Sequence, residues 1–141
     1  MAETSGYEGA TAGRVLDFTK GDKITFPSSF KEALGTDRAL MVLVYKDRQV
    51  RIFPLESEDV YYLSVVIGKL TNDFLTQLSR TFKEYGLIDL LYSTGVCLRG
   101  TKCFYECYFS PHQLTSDVKD LERSLVNLEG VVQVIVEPVK P

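Results

Sequence analysis

The sequence predicts an α+β protein made of two modules, a small β-rich module followed by a larger mixed one. In residues 23–35 (KITFPSSFKEALG), a β-rich run meets a proline, a short helical segment and a glycine. Residues 60–139 instead place two amphipathic helical patterns among four strand-like runs. The length of 141 residues suits one ordinary domain or two small ones, and 45% apolar with 25% charged residues is globular composition.

We divide the chain into a flexible arm (residues 1–12), a first module (13–57) and a second module (58–141). The arm is small, polar and rich in glycine. No run approaches the ~20 apolar residues that span a bilayer, and the N-terminus lacks the charged and apolar regions of a signal peptide. We therefore expect a cytoplasmic protein with no membrane partner.

The first module is predicted to have the order ββαββ. Residues 14–19 and 23–26 are its first two strands, joined by the turn residues 20–22. Residues 39–45 form a continuous apolar strand, and residues 49–53 alternate until Pro54 ends the last strand. About 45 residues without a disulfide or metal make a marginal core, so we predict dimerisation.

A miniature helix separates the two strand pairs. Pro27 lacks an N–H and is predicted to end the strand before it. Ser29 and Glu32 have the spacing of a capping box, in which each side chain bonds a free backbone N–H. Gly35 can take the left-handed conformation that ends the helix.

The second module is predicted to have the order βαββαβ. Its first and last strands are residues 60–67 and 131–137. Between the helices lies a hairpin of residues 87–98 and 102–109, which turns at 99–101. Thr71 or Asn72 caps the first helix, which Gly86 ends. This order is the ferredoxin-like plan, an antiparallel sheet with two helices on one face.

The second helix of that module has the apolar stripe Val118, Leu121, Leu125 and Leu128. Thr115 or Ser116 is predicted to cap it, and Gly130 to end it.

Charge is unevenly distributed around a net value of −3. Residues 13–57 hold eight Lys/Arg against six Asp/Glu, whereas residues 58–141 hold eight against eleven. This asymmetry hints at a basic-leaning module joined to an acidic one, although a solvated surface explains it equally well.

The sequence contains little that indicates catalysis or metal binding. The single histidine, His112, follows a proline in a connecting loop, and no P-loop or G-x-G-x-x-G is present. Three cysteines are an odd number in a chain without an export signal, so we expect reduced thiols. Cys97, Cys103 and Cys107 lack C-x-x-C spacing and lie in strand-like sequence, which favours packing as small apolar residues over a zinc site. We predict no enzyme activity, no cofactor and no metal.

The first module resembles the swapped-hairpin domain of the AbrB/SpoVT and antitoxin family over residues 13–55. The resemblance rests on K-I-T-F-P at 23–27, F-K-E-A-L-G at 30–35 and the strand pair that follows. It implies two chains that interleave their hairpins into a barrel-like dimer. It also implies double-stranded DNA as partner, contacted by Arg14, Lys20, Lys23 and Lys31.

Two acidic residues depart from that family pattern. Glu32 replaces the second of a basic pair in the helix, and Asp22 adds negative charge to the turn. Affinity for DNA comes mainly from neutralised phosphates, so each change weakens it. The alternative is an AbrB-like fold that serves dimerisation only.

The second module resembles an ACT domain, a regulatory fold that binds amino acids or other small ligands at a dimer interface. The resemblance covers residues 60–139 and rests on the element order, S-V-V-I before a loop and F-L, and L-E-G-V at 128–131. It implies a small-molecule effector, with an amino acid as the expected class, held by Lys69, Thr71, Asn72 and Asp73. The family's loop glycine is replaced by Asp73, and the alternative is that Asn72 and Asp73 only cap the helix.

The function expected from both resemblances is that of a dimeric or higher-order DNA-binding transcription regulator whose ACT-like domain senses a small molecule. The alternative is a ligand-sensing or scaffold oligomer that binds no DNA and regulates a partner protein.

Overall fold

The structure is a computed structural model that describes residues 10–56, 59–98 and 102–141. In these ranges the fold is α+β, with six strands in two sheets and three α-helices. The chain divides into two compact units, Met1–Glu56 and Ser57–Pro141. Most of the expected flexible arm and the whole predicted turn at 99–101 lie outside the described residues.

The first unit contains one helix and one antiparallel hairpin. The helix α1 (Ser28–Leu34) precedes the strands β1 (Arg38–Val44) and β2 (Gln49–Leu55). Leu40 lies opposite Phe53 in their register. The prediction that Pro54 ends the strand is wrong, because Pro54 lies within β2, opposite Ala39. A two-stranded sheet has only edge strands, where the missing N–H of a proline is tolerated.

The two strands predicted at residues 14–19 and 23–26 are not formed. Residues 11–17 and 23–27 are neither strand nor helix, and Phe18–Lys20 form a 3₁₀ turn instead. A strand exists only beside a neighbour that pairs with its backbone, and the described chain provides none for these segments. The expected barrel is therefore absent from the single chain.

The predicted capping box of α1 is also absent. The helix begins at Ser28 after its cap residue Pro27, which makes no side-chain capping hydrogen bond. Ser29 thus lies inside the first turn, two positions past the cap residue Pro27. Gly35 ends the helix in the left-handed conformation (φ 73°), as the sequence predicts.

The second unit contains four strands and two helices in the order βαββαβ. Its elements are β3 (Tyr61–Ile67), α2 (Asn72–Glu84), β4 (Tyr92–Leu98), β5 (Lys102–Phe109), α3 (Val118–Val126) and β6 (Val131–Pro138). All neighbouring strands are antiparallel, in the order β4-β5-β3-β6. Residues 87–91, which the sequence assigns to a strand, instead connect α2 to β4.

The core of this unit lies between the sheet and both helices. Leu63 of β3 is fully buried, with Cys107 and Val136 opposite it on the neighbouring strands. Because side chains alternate along a strand, Leu63 shares its sheet face with Val65 and Ile67. The helices contribute these buried side chains to the same cluster: Phe74, Leu78, Phe82, Leu121 and Leu125.

Local capping fixes the start of both helices. Thr71 accepts a hydrogen bond from the N–H of Phe74 (3.1 Å) and caps α2, one of the two predicted choices. Asp117, and neither Thr115 nor Ser116, caps α3 by accepting from the N–H of Asp120 (2.9 Å). Among the described helices, none combines the length and apolarity that crossing a bilayer requires.

Candidate functional site

The four cations predicted to contact DNA are exposed in the first unit. Lys20 ends the 3₁₀ turn and Lys31 lies in α1, whereas Arg14 and Lys23 lie in the irregular segments. Asp17 accepts hydrogen bonds from the N–H (3.0 Å) and hydroxyl (2.6 Å) of Thr19. These bonds lower the pKa of Asp17, so an ionised carboxylate sits at the start of the turn that carries Lys20.

The predicted ligand residues lie around the start of α2. The hydroxyl of Thr71 is occupied by the helix cap, and the carbonyl of Asn72 accepts from the Thr76 hydroxyl at 2.9 Å. Lys69, Asn72 and Asp73 are exposed, and Asp73 lies in the first turn, where a negative charge stabilises the helix. The helix-cap interpretation thus applies to Thr71 rather than to Asn72, and a ligand role for the loop stays a prediction.

A groove in the second unit was not predicted from the sequence. It has a volume of about 610 Å³ and is lined by one side of α2, by the connection after it and by Tyr105 of β5. Its apolar lining includes Leu75, Phe82 and Leu90, whereas Arg80 and Lys83 bring positive charge. None of the predicted ligand residues lines this groove.

One feature of the α2 pattern could have indicated the groove. Leu75 lies beside the buried stripe of Phe74, Leu78 and Phe82 and is only half-buried. Ile88 follows the glycine that ends the helix and is 73% exposed. Large apolar side chains outside the core stripe, such as Leu75 and Ile88, can line a groove. Only the observed path of residues 87–90 brings these two together.

Two of the three cysteines are joined. Cys97 on β4 lies opposite Cys103 on β5, and the two form a disulfide. The expectation of reduced thiols is wrong for this pair, because the hairpin register brings the two side chains face to face. It holds for Cys107, which is a free, buried thiol. Burial raises the pKa of this thiol to about 12.

His112 and Asp59 are two titratable groups that lie near each other on the surface of the second unit. His112 Nε2 lies 3.8 Å from Asp59 Oδ2, with both side chains about two-thirds exposed (65% and 64%). In the described residues, no group of three His, Cys, Asp or Glu side chains is placed to hold a metal ion. On the sheet, burial raises the pKa of Tyr62 and of Tyr105 to about 12, so both hydroxyls stay protonated.

Comparison with known proteins gives a weak structural likeness. No protein-family model matches the chain, and no curated protein matches it. Among solved structures, the chain is similar to the C-terminal domain of the MgtC protein from Mycobacterium tuberculosis, with 14% identity and a TM-score of 0.44. The match covers 60% of this chain and 94% of that domain.

Proposed function

We propose that the chain is a cytoplasmic, dimeric DNA-binding regulator. In this proposal the first unit forms an AbrB-like swapped-hairpin domain with a second copy, and the second unit is a ferredoxin-like, ACT-like domain that senses a small molecule. Neither unit is proposed to catalyse a reaction. The observation that carries the proposal is the incomplete core of the first unit.

The first unit buries very little of its own apolar surface. Among its described residues, only Leu40 and Val42 are buried. The opposite face of the hairpin exposes Met41 (54%) and Val50 (54%). Burial of apolar surface is the main favourable term in folding, so a unit of this composition needs a partner surface.

The segments before α1 also lack a strand that pairs with their backbone. Val15 is 98% exposed and Phe18 61% exposed, and Ile24 and Phe26 are nearly half exposed. In the described part of the chain, residues 11–16 and 22–26 make no backbone hydrogen bond. These segments carry Val15, Ile24 and Phe26, residue types suited to pair as strands with another chain.

A second copy of this chain would cover the exposed apolar face of the hairpin and would also pair with the segments before α1. Two identical units would offer each other the same unpaired segments and the same exposed hairpin face, as in a two-fold interface. Exchange of identical elements between protomers is a low-cost route to a dimer. The K-I-T-F-P and F-K-E-A-L-G motifs of the swapped-hairpin family fall in this same part of the chain.

A dimer would present each exposed cation twice. Arg14, Lys20, Lys23 and Lys31 would then supply eight positive charges near the paired hairpins, enough for electrostatic binding to phosphates. The element order and the sheet order β4-β5-β3-β6 of the second unit support the ferredoxin-like, ACT-like assignment. A ligand held there would act on DNA binding by changing how the two copies associate.

Sedimentation equilibrium tests the dimer. The wild type is expected to be dimeric, and Ile24→Asp is expected to make it monomeric because a charge cannot be buried unpaired between two chains. Val126→Asp is the matched control, since Val126 is similarly exposed (51%) but lies at the end of α3. A monomeric wild type, or equal effects of the two variants, would contradict the proposed swapped dimer.

Fluorescence anisotropy with duplex DNA at several salt concentrations tests the DNA role. Lys23→Glu and Lys31→Glu should each weaken binding, and each should lower the salt slope by about 2 because a dimer loses two phosphate contacts. Lys46→Glu in the β1–β2 turn makes the same change of charge and should have little effect. Absence of binding in 20–50 mM salt, with the dimer intact, would favour the alternative of an oligomer that regulates a partner protein.

A further inference from the structure

The groove beside α2 has the size and lining of a small-molecule site. Its volume of about 610 Å³ lies within the ~300–1,000 Å³ typical of ligand pockets, which are mostly apolar with a few placed polar groups. Leu75, Ile88 and Leu90 line it with aliphatic surface. Phe82 and Tyr105, whose ring centroids lie 6.2 Å apart, add aromatic surface.

The charge in the groove is of one sign. Arg80 and Lys83 line it, and no Asp or Glu of the described chain does. Three residues apart on a helix, they lie on the same side of α2. Neither cation has an ion-pair partner in residues 10–56, 59–98 or 102–141.

A hydroxyl group is also part of the groove lining. Ser79 also lines the groove, and its hydroxyl makes no hydrogen bond to any described residue. The neighbouring Thr76 hydroxyl is occupied, because it donates to the Asn72 carbonyl. The groove thus offers three available donor groups, two of them charged, beside a mostly apolar surface.

We propose that this groove binds an amphipathic carboxylate. The apolar body of the ligand lies against α2 and residues 87–90, and its carboxylate is held by Arg80 and Lys83 with the Ser79 hydroxyl. Charge-assisted hydrogen bonds from Arg and Lys to a carboxylate are the strong kind, and apolar contact supplies the rest. The site is separate from the loop of residues 69–73 and does not depend on DNA binding by the first unit.

Calorimetric titration with three probes tests the ligand chemistry. Octanoate, which has both an apolar chain and a carboxylate, should bind in the groove. Octanol lacks the charge and acetate lacks the chain, so each should bind at least tenfold more weakly. Equal binding of octanol and octanoate, or no binding of octanoate, would overturn the proposal.

Substitutions locate the binding. The double variant Arg80→Gln/Lys83→Gln should weaken octanoate binding at least tenfold, whereas Lys119→Gln on α3 removes an exposed cation elsewhere and should change nothing. Ser79→Phe should also block the probe, by filling the groove while leaving both charges. Equal losses in the Lys119 control, or amide NMR shifts confined to residues 69–73, would refute the site; the full chain is used throughout.

Discussion

The Tyr62 hydroxyl donates a hydrogen bond to Glu106 Oε2 at 2.8 Å, between the neighbouring strands β3 and β5. Tyr62 lies opposite Tyr108 and Ser64 lies opposite Glu106, so the bond runs diagonally across the sheet. It lies on the face opposite the helices, because Tyr62 alternates with the core residue Leu63. The Tyr62 and Tyr108 rings, 5.3 Å apart, cover the same face.

Loss of this bond should lower stability. Tyr62→Phe removes only the hydroxyl and leaves the ring contact, so we expect the free energy of unfolding to fall by about 1 kcal/mol. Tyr61→Phe is the matched control, because the Tyr61 hydroxyl makes no hydrogen bond to the described residues. Urea unfolding of both variants measures the difference; equal stabilities would show that the bond contributes nothing.

Stability should also fall at alkaline pH. Burial raises the pKa of Tyr62 and of Tyr105 from about 10 to about 12 in the folded chain. Above pH 10 the unfolded state therefore loses these protons first, and stability that is complete below pH 10 declines as the pH rises to 12. Each group contributes at most about 1.4 kcal/mol per pH unit, and less because both rings are partly exposed.

Denaturant unfolding between pH 9 and 12 measures this decline. Tyr105→Phe removes one titrating group and should make the decline shallower, whatever its effect on stability at neutral pH. The buried Cys107 thiol contributes in the same direction from pH 9 upwards, since its pKa is also raised. A decline as steep in Tyr105→Phe as in the wild type would contradict the raised pKa of that tyrosine.

The sequence predicts the second unit better than the first because the second unit completes its own core. The helix predicted between Thr71 and Gly86 forms as α2, and its Phe74, Leu78 and Phe82 are buried together in the core. The hairpin of residues 14–26 was predicted from local strand propensity, but a strand also needs a pairing partner, and the single chain has none. Local strand propensity alone therefore does not establish a strand in this part of the chain.

Two features of the second unit, the cysteine pair and the groove, were nevertheless not predicted from the sequence. A hairpin turning at residues 99–101 already implied that Cys97 faces Cys103, but the absence of an export signal favoured reduced thiols. The groove depends on where residues 87–90 run after α2, which no local pattern specifies. The exposed charges of Arg80 and Lys83 indicate a binding site only once that path is known.

The cysteine pairing gives a direct chemical prediction. Protein purified without reductant and denatured should add one alkyl group with iodoacetamide, at Cys107, and three after reduction. The native protein should add none, because Cys107 is buried and its raised pKa keeps it as the unreactive thiol. Intact-protein mass spectrometry counts the groups, and three additions without reductant would contradict the Cys97–Cys103 bond.

Two glycines of the second unit share a left-handed conformation but differ in their surroundings. Gly86 (φ 78°) follows α2, and a Cβ there would lie 2.7 Å from the Gln113 carbonyl oxygen. Gly130 (φ 88°) precedes β6, and a Cβ there would meet nothing within 4 Å. The backbone after α2 therefore approaches residues 113–115 too closely for any side chain.

Replacing each glycine by alanine separates conformational strain from crowding. Gly130→Ala should cost about 1–2 kcal/mol, the penalty of the left-handed region alone. Gly86→Ala should cost that amount plus about 1–3 kcal/mol, because a backbone carbonyl cannot move aside as a flexible side chain can. Thermal and urea unfolding measure both; a Gly86→Ala variant no less stable than Gly130→Ala would mean that the contact with Gln113 relaxes freely.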